Sequence, residues 1–349
     1  MFPTQVIKIL AVMTTAFFIA IALTPLIFKA LQKYGIKKQI RDASSAPVMS
    51  ALHAKKSGTP TMGGIIIWGS VLITAVIMWL ASYTLGGIYT HLNFIDRAET
   101  YLPLAAMVIA ALIGLADDVL GVLRIGPKGG GLPMRGKLLL YAFIGAIGAW
   151  WFYSPRYLDW HVLNIPFIGV IDIGLWYIPV FIFIIIASAF SANETDGLDG
   201  LLGGVSIFAF GALGVIAFTL QRYDLAAMIG AIIGGLVAFL WHNVHPAKFF
   251  MGDTGSMAIG ITMGVIALLT NTVFLLPLFA AVMVIESLSV IIQMAHKKIM
   301  KKKLFLSTPI HHHFEAIGMP ESQITMRFWI ISGVATSAGL ILFFLDRII

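Results

Sequence analysis

Ten apolar stretches, each long enough to cross ~30 Å of hydrocarbon as a helix or nearly so, recur along the sequence. They fall at 8–31, 62–85, 101–118, 137–154, 174–192, 200–220, 225–242, 255–271, 274–296 and 324–345. Such a pattern leaves few folds open. Only 11% of the 349 residues are charged and 59% are hydrophobic, whereas a water-soluble domain carries about a quarter charged residues to coat its surface. Inside a bilayer every backbone N–H and C=O must be paired within its own segment, so the expected class is an all-α polytopic membrane protein. We read residues 1–349 as a single integral-membrane domain. The first stretch runs past Pro25 to Lys29 without a small-residue cleavage site and is read as retained. With no cysteine, disulfides, cysteine–zinc sites and thiol nucleophiles are excluded. No internal repeat supports an inverted-repeat transporter.

Ten spans put both termini on one side, and the basic residues choose which. The loops after odd-numbered spans hold Lys33, Lys37, Lys38, Arg41, Lys55, Lys56, Arg124, Lys128, Arg135, Lys137, Lys248 and the cluster Lys297, Lys298, Lys301, Lys302 and Lys303. The other side holds Lys8, Arg97, Arg156, Arg222 and Arg347. By the positive-inside rule the odd loops are cytoplasmic and both termini lie outside. The formal net charge of +7 therefore reflects topology and not nucleic-acid binding. The mixed apolar and polar stretch 155–173 predicts a small hairpin on the outer face.

All of the unusual polar sequence belongs to the cytoplasmic side. It comprises Lys56-Ser-Gly-Thr-Pro-Thr-Met-Gly-Gly64, Asp117-Asp118, Asn193-Glu-Thr-Asp-Gly-Leu-Asp-Gly200, Asn243 with Phe250-Met-Gly-Asp-Thr-Gly-Ser256, and Pro309-Ile-His-His-His-Phe-Glu315. Carboxylates at the ends of spans are costly unless paired, and Asp117, Asp118, Asp196, Asp199 and Asp253 together call for a compensating cation, protons or lysines. A hard divalent ion is the economical answer. If helical, Asp117 and Asp118 point about 100° apart and do different jobs, while Asp196 and Asp199 share a face. The segment opening the second span suits a phosphate or sugar at a helix start, or equally a threonine-capped turn, and lacks a Walker A ending. His311, His312 and His313 lack the spacing of a helical zinc pair; they suit phosphate donation or an interfacial polar patch. Glu286, within the ninth span, is an intramembrane acid that a neighbouring helix can satisfy, and we place it outside the site. Together these groups suit metal-assisted phosphoryl transfer between a soluble nucleotide and a lipid phosphate.

At these motifs, in this order and over essentially the whole chain, the sequence resembles the polyprenyl-phosphate N-acetylhexosamine-1-phosphate transferases, most closely their phospho-N-acetylmuramoyl-pentapeptide branch. The flanked triple histidine carries the branch resemblance. It implies a Mg²⁺-dependent enzyme with ten transmembrane helices, usually a homodimer, in the bacterial cytoplasmic membrane, with its active site facing the cytoplasm. The implied reaction joins UDP-N-acetylmuramoyl-pentapeptide (UDP-MurNAc-pentapeptide) to undecaprenyl phosphate, giving lipid I and UMP in peptidoglycan synthesis. Carried over by motif, Asp253 is the Mg²⁺ ligand with Asp117 beside it, and Asp117, Asp118, Asp253 and His311 form the catalytic group. Substrate binding falls to Lys56, Thr61, Lys137, Asn193, Asp196, Asp199, Asn243, Phe250, His312 and His313, with Phe250 stacking on uracil and Asp196 accepting a hydrogen bond from it. The loop 121–136 leaves open the choice among Lys128, Arg135 and Lys137.

The implied chemistry is attack by the lipid phosphate oxygen on the β-phosphorus of the sugar nucleotide, with magnesium neutralising the diphosphate; a two-step route through an aspartyl phosphate stays open. Three rivals remain: a sister transferase using UDP-N-acetylglucosamine, a structural membrane scaffold, and a cation-coupled transporter. The last needs polar residues along a route across the bilayer, and here they gather at one surface.

Overall fold

A computed structural model describes residues 2–37, 58–127 and 130–348. Thirteen α-helices lie among them. They are α1 (Phe2–Lys33), α2 (Ile65–Thr84), the short α3 (Ile88–Leu92), α4 (Ala98–Val122), α5 (Met134–Tyr153), α6 (Tyr177–Thr195), α7 (Leu201–Thr219) and α8 (Tyr223–Asn243). After them come α9 (Asp253–Leu269), the four-residue α10 (Leu276–Phe279), α11 (Ala281–Met300), α12 (Ile310–Ala316) and α13 (Glu321–Leu345). Eight are long and apolar enough to cross a membrane: α1, α2, α4 to α8 and α13, the span of α6 including the preceding turn from Gly174. The chain is thus a helical polytopic membrane protein. Of the ten expected stretches, α9 has only 17 residues, and α11 carries Lys297 and Lys298 in its last turn.

The helix ends follow local chemistry. α9 stops where Asn271 enters the left-handed region at φ 53°, a conformation asparagine tolerates better than most residues. Ala280 then interrupts the helical backbone between α10 and α11, so the ninth stretch begins as a long helix at Ala281 and not at 274. Asp117 and Asp118 lie inside α4, which continues to Val122, and not in the following loop.

α9 forms the centre of the bundle. Every residue from Thr254 to Leu269 is buried, so its backbone is sheltered by neighbours and its short length is tolerated. It packs on α4 and α6, while α8 packs between α1 and α7. Small residues such as Gly260, set against Ala189 and Ala192 of α6, let these helices approach closely.

The two ends of the bundle differ. At one, Lys8 of α1 pairs with Asp224 of α8 and donates to the Asn93 carbonyl at 2.6 Å. Nearby, Arg222 donates to the Leu269 carbonyl at 2.6 Å and lies 3.5 Å from Glu99. The expected hairpin is found at this end, where β1 (Val162–Ile165) pairs antiparallel with β2 (Gly169–Asp172). Asp346 pins it by accepting the Phe167 N–H at 2.5 Å and the Asn164 amide at 3.3 Å. The ends of α4, α6 and α8 and the starts of α5 and α9 meet at the opposite end, where the polar motifs gather.

Candidate functional site

One helical residue turns a side chain by about 100°, and the two acids of α4 part accordingly. Asp117 is buried; its Oδ2 lies 2.8 Å from the Lys137 ammonium, and its Oδ1 accepts the Leu132 N–H at 2.5 Å. Asp118 points toward α9 and accepts the first backbone N–H groups of that helix, from Asp253 at 3.1 Å and Thr254 at 3.0 Å. An unsatisfied helix start next to an anionic oxygen pair is a favourable match of orphan donors and charge. Gly252 makes the approach possible. Its φ is 76°, and a Cβ there would lie 2.6 Å from Asp118 Oδ2 and 3.0 Å from the Met62 nitrogen.

Lys137, in the first turn of α5, also pairs with Asp253 Oδ2. One ammonium therefore bridges two carboxylates from helices far apart in the chain. Asn193, near the end of α6, donates to Asp253 Oδ1 at 2.6 Å and to the Ser256 hydroxyl at 3.2 Å. Of the basic candidates from the 121–137 region, Lys137 reaches the acids, Arg135 is exposed, and Lys128 lies outside the described residues. Asp117 and Asp253 offer hard carboxylate oxygens of the kind Mg²⁺ prefers, and in this arrangement Lys137 supplies their counter-charge.

Three backbone hydrogen bonds weld the turn before α2 to the segment before α9. Phe250 donates to Pro60 O, Gly63 to Phe250 O and Gly64 to Met251 O, each at 2.8 Å. Thr61 is buried in this turn and Phe250 is half-buried beside it. Lys56 lies outside the described residues.

From Asn193 the chain runs across the site. α6 ends at Thr195 and Asp196 leaves the helical region, so Asp196 and Asp199 do not share a helical face. Asp199 is buried, and its Oδ2 meets His245 Nδ1 at 3.0 Å and accepts the Ala247 N–H at 3.1 Å. Its own N–H donates to Glu321 Oε1 at 2.7 Å, and Glu321 Oε2 lies 3.4 Å from the same His245 nitrogen. Ligand atoms of Asp199, His245 and Glu321 lie within 4.8 Å of one another, with the imidazole hydrogen-bonded among them. Asn243 ties this end down: its oxygen accepts the Gly200 N–H at 3.0 Å and its amide donates to Phe249 O at 2.8 Å. Both halves of that side chain are thereby engaged with backbone.

The three histidines diverge, as consecutive positions on a helix must. His311 Nδ1 lies 2.9 Å from Glu286 Oε2, both residues fully buried. His312 Nδ1 lies 2.6 Å from Glu315, and His313 Nδ1 accepts the Leu306 N–H at 3.3 Å. Glu286, which the sequence reading places outside the site, contacts His311 of the triple-histidine motif, because α11 packs against α12. Sequence reasoning also missed His245 and Glu321. His245 stood in plain view between Asn243 and Phe250; Glu321 reads as an ordinary acidic first-turn residue of α13.

Comparison with known proteins adds independent findings. Residues 100–271 match the model for glycosyl transferase family 4, and residues 56–67 match phospho-N-acetylmuramoyl-pentapeptide-transferase signature 1. The chain is 38% identical over 317 residues to the phospho-N-acetylmuramoyl-pentapeptide-transferase of Anoxybacillus flavithermus, covering 90% of this chain and 92% of that one. It is 38% identical over 299 residues to the enzyme of that name from Chloroflexus aurantiacus, covering 82% and 78%. With that from Geobacillus thermodenitrificans it shares 36% identity over 342 residues, covering 97% and 98%.

Proposed function

The chain belongs to the phospho-N-acetylmuramoyl-pentapeptide-transferase family, and from that premise we propose that it transfers phospho-MurNAc-pentapeptide from its UDP conjugate to undecaprenyl phosphate, forming lipid I and UMP. The observation that carries the chemistry is the Lys137 ammonium held between Asp117 and Asp253 at the bundle end where the motif loops meet. Phosphoryl transfer needs compensated negative charge and a positioned nucleophile more than covalent help from the protein.

In the reaction, an oxygen of the lipid phosphate forms a bond to the β-phosphorus of the sugar nucleotide. The bond from that phosphorus to the bridging oxygen breaks, and UMP leaves with it. Asp117, facing Lys137, orients the nucleophile; Asp118, engaged with the start of α9, holds Asp253 in place. Asp253 and Asp117 would hold Mg²⁺, which when bound supplies charge neutralisation at the diphosphate. Lys137 keeps the two carboxylates together and offers its ammonium to a phosphate oxygen. Asn193 fixes the Asp253 carboxylate, while Asp196, Asp199 and Phe250 receive the nucleotide. Thr61, Asn243, His312 and His313 complete the groove, and His311 faces the 196–197 turn.

The proposal includes ten spans, with α9 and α11 completing the eight long apolar helices, both termini outside, the site at the cytoplasmic face of the bacterial membrane, and a homodimer. The burial of α9 and the concentration of lysines at the site end of the bundle support the topology. Because the chain has no cysteine, single cysteines introduced at Ser154 and at Lys301 and labelled from either side of sealed vesicles test the orientation cleanly. Sizing in a mild detergent tests the dimer.

The deciding experiment measures UMP release from UDP-MurNAc-pentapeptide, and separately from UDP-N-acetylglucosamine, with undecaprenyl phosphate and graded Mg²⁺, for the natural protein and Asp253→Ala. Release from the muramoyl substrate alone, lost in the variant and on chelation, is expected. Activity surviving Asp253→Ala removes the metal assignment, and a phosphorylated enzyme in the absence of lipid acceptor rejects direct attack.

A further inference from the structure

Glu286 and His311 are 25 residues apart, on different helices, and neither exposes any side-chain surface. Glu286 Oε2 meets His311 Nδ1 at 2.9 Å and also faces the His311 backbone N–H at 3.4 Å. The other atom of each pair, Glu286 Oε1 and His311 Nε2, is buried without a hydrogen-bond partner among the described residues. An unmet buried polar atom costs free energy that folding alone gives no reason to spend. His311 Nε2 lies against Gly197, so closely that a Cβ added to Gly197 would overlap the imidazole. Gly197 sits between Asp196 and Asp199 in the loop that crosses the site. α11 is tied to α6 next to this point by the Ser191–Ser287 hydroxyl pair at 2.8 Å, which fixes the height of Glu286 against the end of α6.

We propose that Glu286 is a positioning residue: it holds Nδ1 of His311 so that the buried Nε2 face of the ring backs the Asp196–Gly197 turn and sets the shape in which that turn receives the sugar nucleotide. This rests on the transferase reading above. A carboxylate that fixes the orientation and proton arrangement of a histidine is the same device used behind metal-bound and catalytic imidazoles. Glu286 touches no substrate and acts only through His311. Gly197 belongs to the same arrangement, since any side chain there displaces the ring.

The test compares Glu286→Ala, Glu286→Gln, His311→Ala, Gly197→Ala and the double variant Glu286→Ala/His311→Ala. Steady-state UMP release and thermal midpoint are read for each, with ¹⁵N-histidine spectra of the natural protein and of Glu286→Ala. Glu286→Ala is expected to lower kcat by roughly 10–100-fold, the range seen when such supporting partners are removed. Glu286→Gln keeps a carbonyl oxygen toward the His311 N–H and Nδ1, and is expected to recover most of that loss. The double variant is expected to be no slower than His311→Ala, and Gly197→Ala to lower kcat by displacing the ring. In the spectra, Nδ1 of His311 carries a proton in the natural protein and loses its fixed state in Glu286→Ala. A double variant slower than His311→Ala, a Glu286→Ala variant with natural kcat, or an Nδ1 without a proton overturns the proposal. If the natural protein releases no UMP, the transferase reading fails on that control, and the ¹⁵N spectra still judge the Glu286–His311 arrangement by itself.

Discussion

The carboxylate of Asp118 receives the backbone N–H of Asp253 at 3.1 Å, so the acid at the end of one helix begins another. Its second oxygen receives Thr254. The residue immediately before it, Asp117, is turned the other way, toward Lys137. Adjacent acids thus divide the work, one building the site and the other facing it.

Asp118→Ala removes the acceptors for two backbone donors at the start of α9. We expect a stability loss of about 1–2 kcal/mol, as for removal of a helix cap, seen as a lower thermal midpoint. UMP release falls with it, because Asp253 loses its anchor. Unchanged stability would show that Asp118 does not cap α9.

Lys137→Met leaves Asp117 and Asp253 close together without their shared counter-charge. UMP release is expected to drop by roughly 100-fold or more, as when a positioned transition-state donor is lost. The thermal midpoint of the variant should also become more responsive to added Mg²⁺ than that of the natural protein, since a cation then supplies what the ammonium did. A Mg²⁺ titration of the melting curve checks this.

Asn243→Ala unties Gly200 from Phe249 and leaves two buried backbone groups unmet. Loss of about 1.4 kcal/mol of ordering in this loop corresponds to a roughly tenfold higher KM for the sugar nucleotide. The KM for the lipid phosphate should stay near its natural value. Equal rises in both constants would contradict a local effect on the nucleotide side.

At the far end of the bundle, Lys8→Met leaves Asp224 in a largely enclosed position, with Arg97 at 4.0 Å the one other basic partner among the described residues. We expect a cost of about 3 kcal/mol, since breaking one side of a buried ion pair strands the other. The pairing change Lys8→Met/Asp224→Leu should restore part of it. Specific activity of the folded protein should be unaffected in both variants, as the site lies at the opposite end.

Much of this architecture could be read from residues alone, because bilayer length and backbone satisfaction leave an apolar run little choice. The separation of Asp117 from Asp118 followed from helical rotation, and the hairpin followed from the mixed polarity of 155–173. What escaped were pairings decided by the approach of distant helices. Lys137 could not be distinguished from Arg135 until α5 was seen to start beside the end of α4. Glu286 was a conspicuous acid in an apolar helix, yet its partner lay beyond the lysine cluster in a separate short helix. The start of α11 was misjudged because Ala280, an ordinary helix former, is where the backbone breaks.

The junction joining Pro60, Gly63 and Gly64 to Phe250 and Met251 is written entirely in main-chain atoms. Such a seam admits no side chain at Gly63 or Gly64, where a Cβ would lie 2.3 Å from Phe249 Cδ2 and from Gly255 Cα respectively, and it is intolerant of a change in count. Diversification there is consequently confined to substitution at the remaining positions, and deleting or adding one residue between 60 and 64 would shear the two strands of the seam out of step and spoil both flanks of the pocket at once.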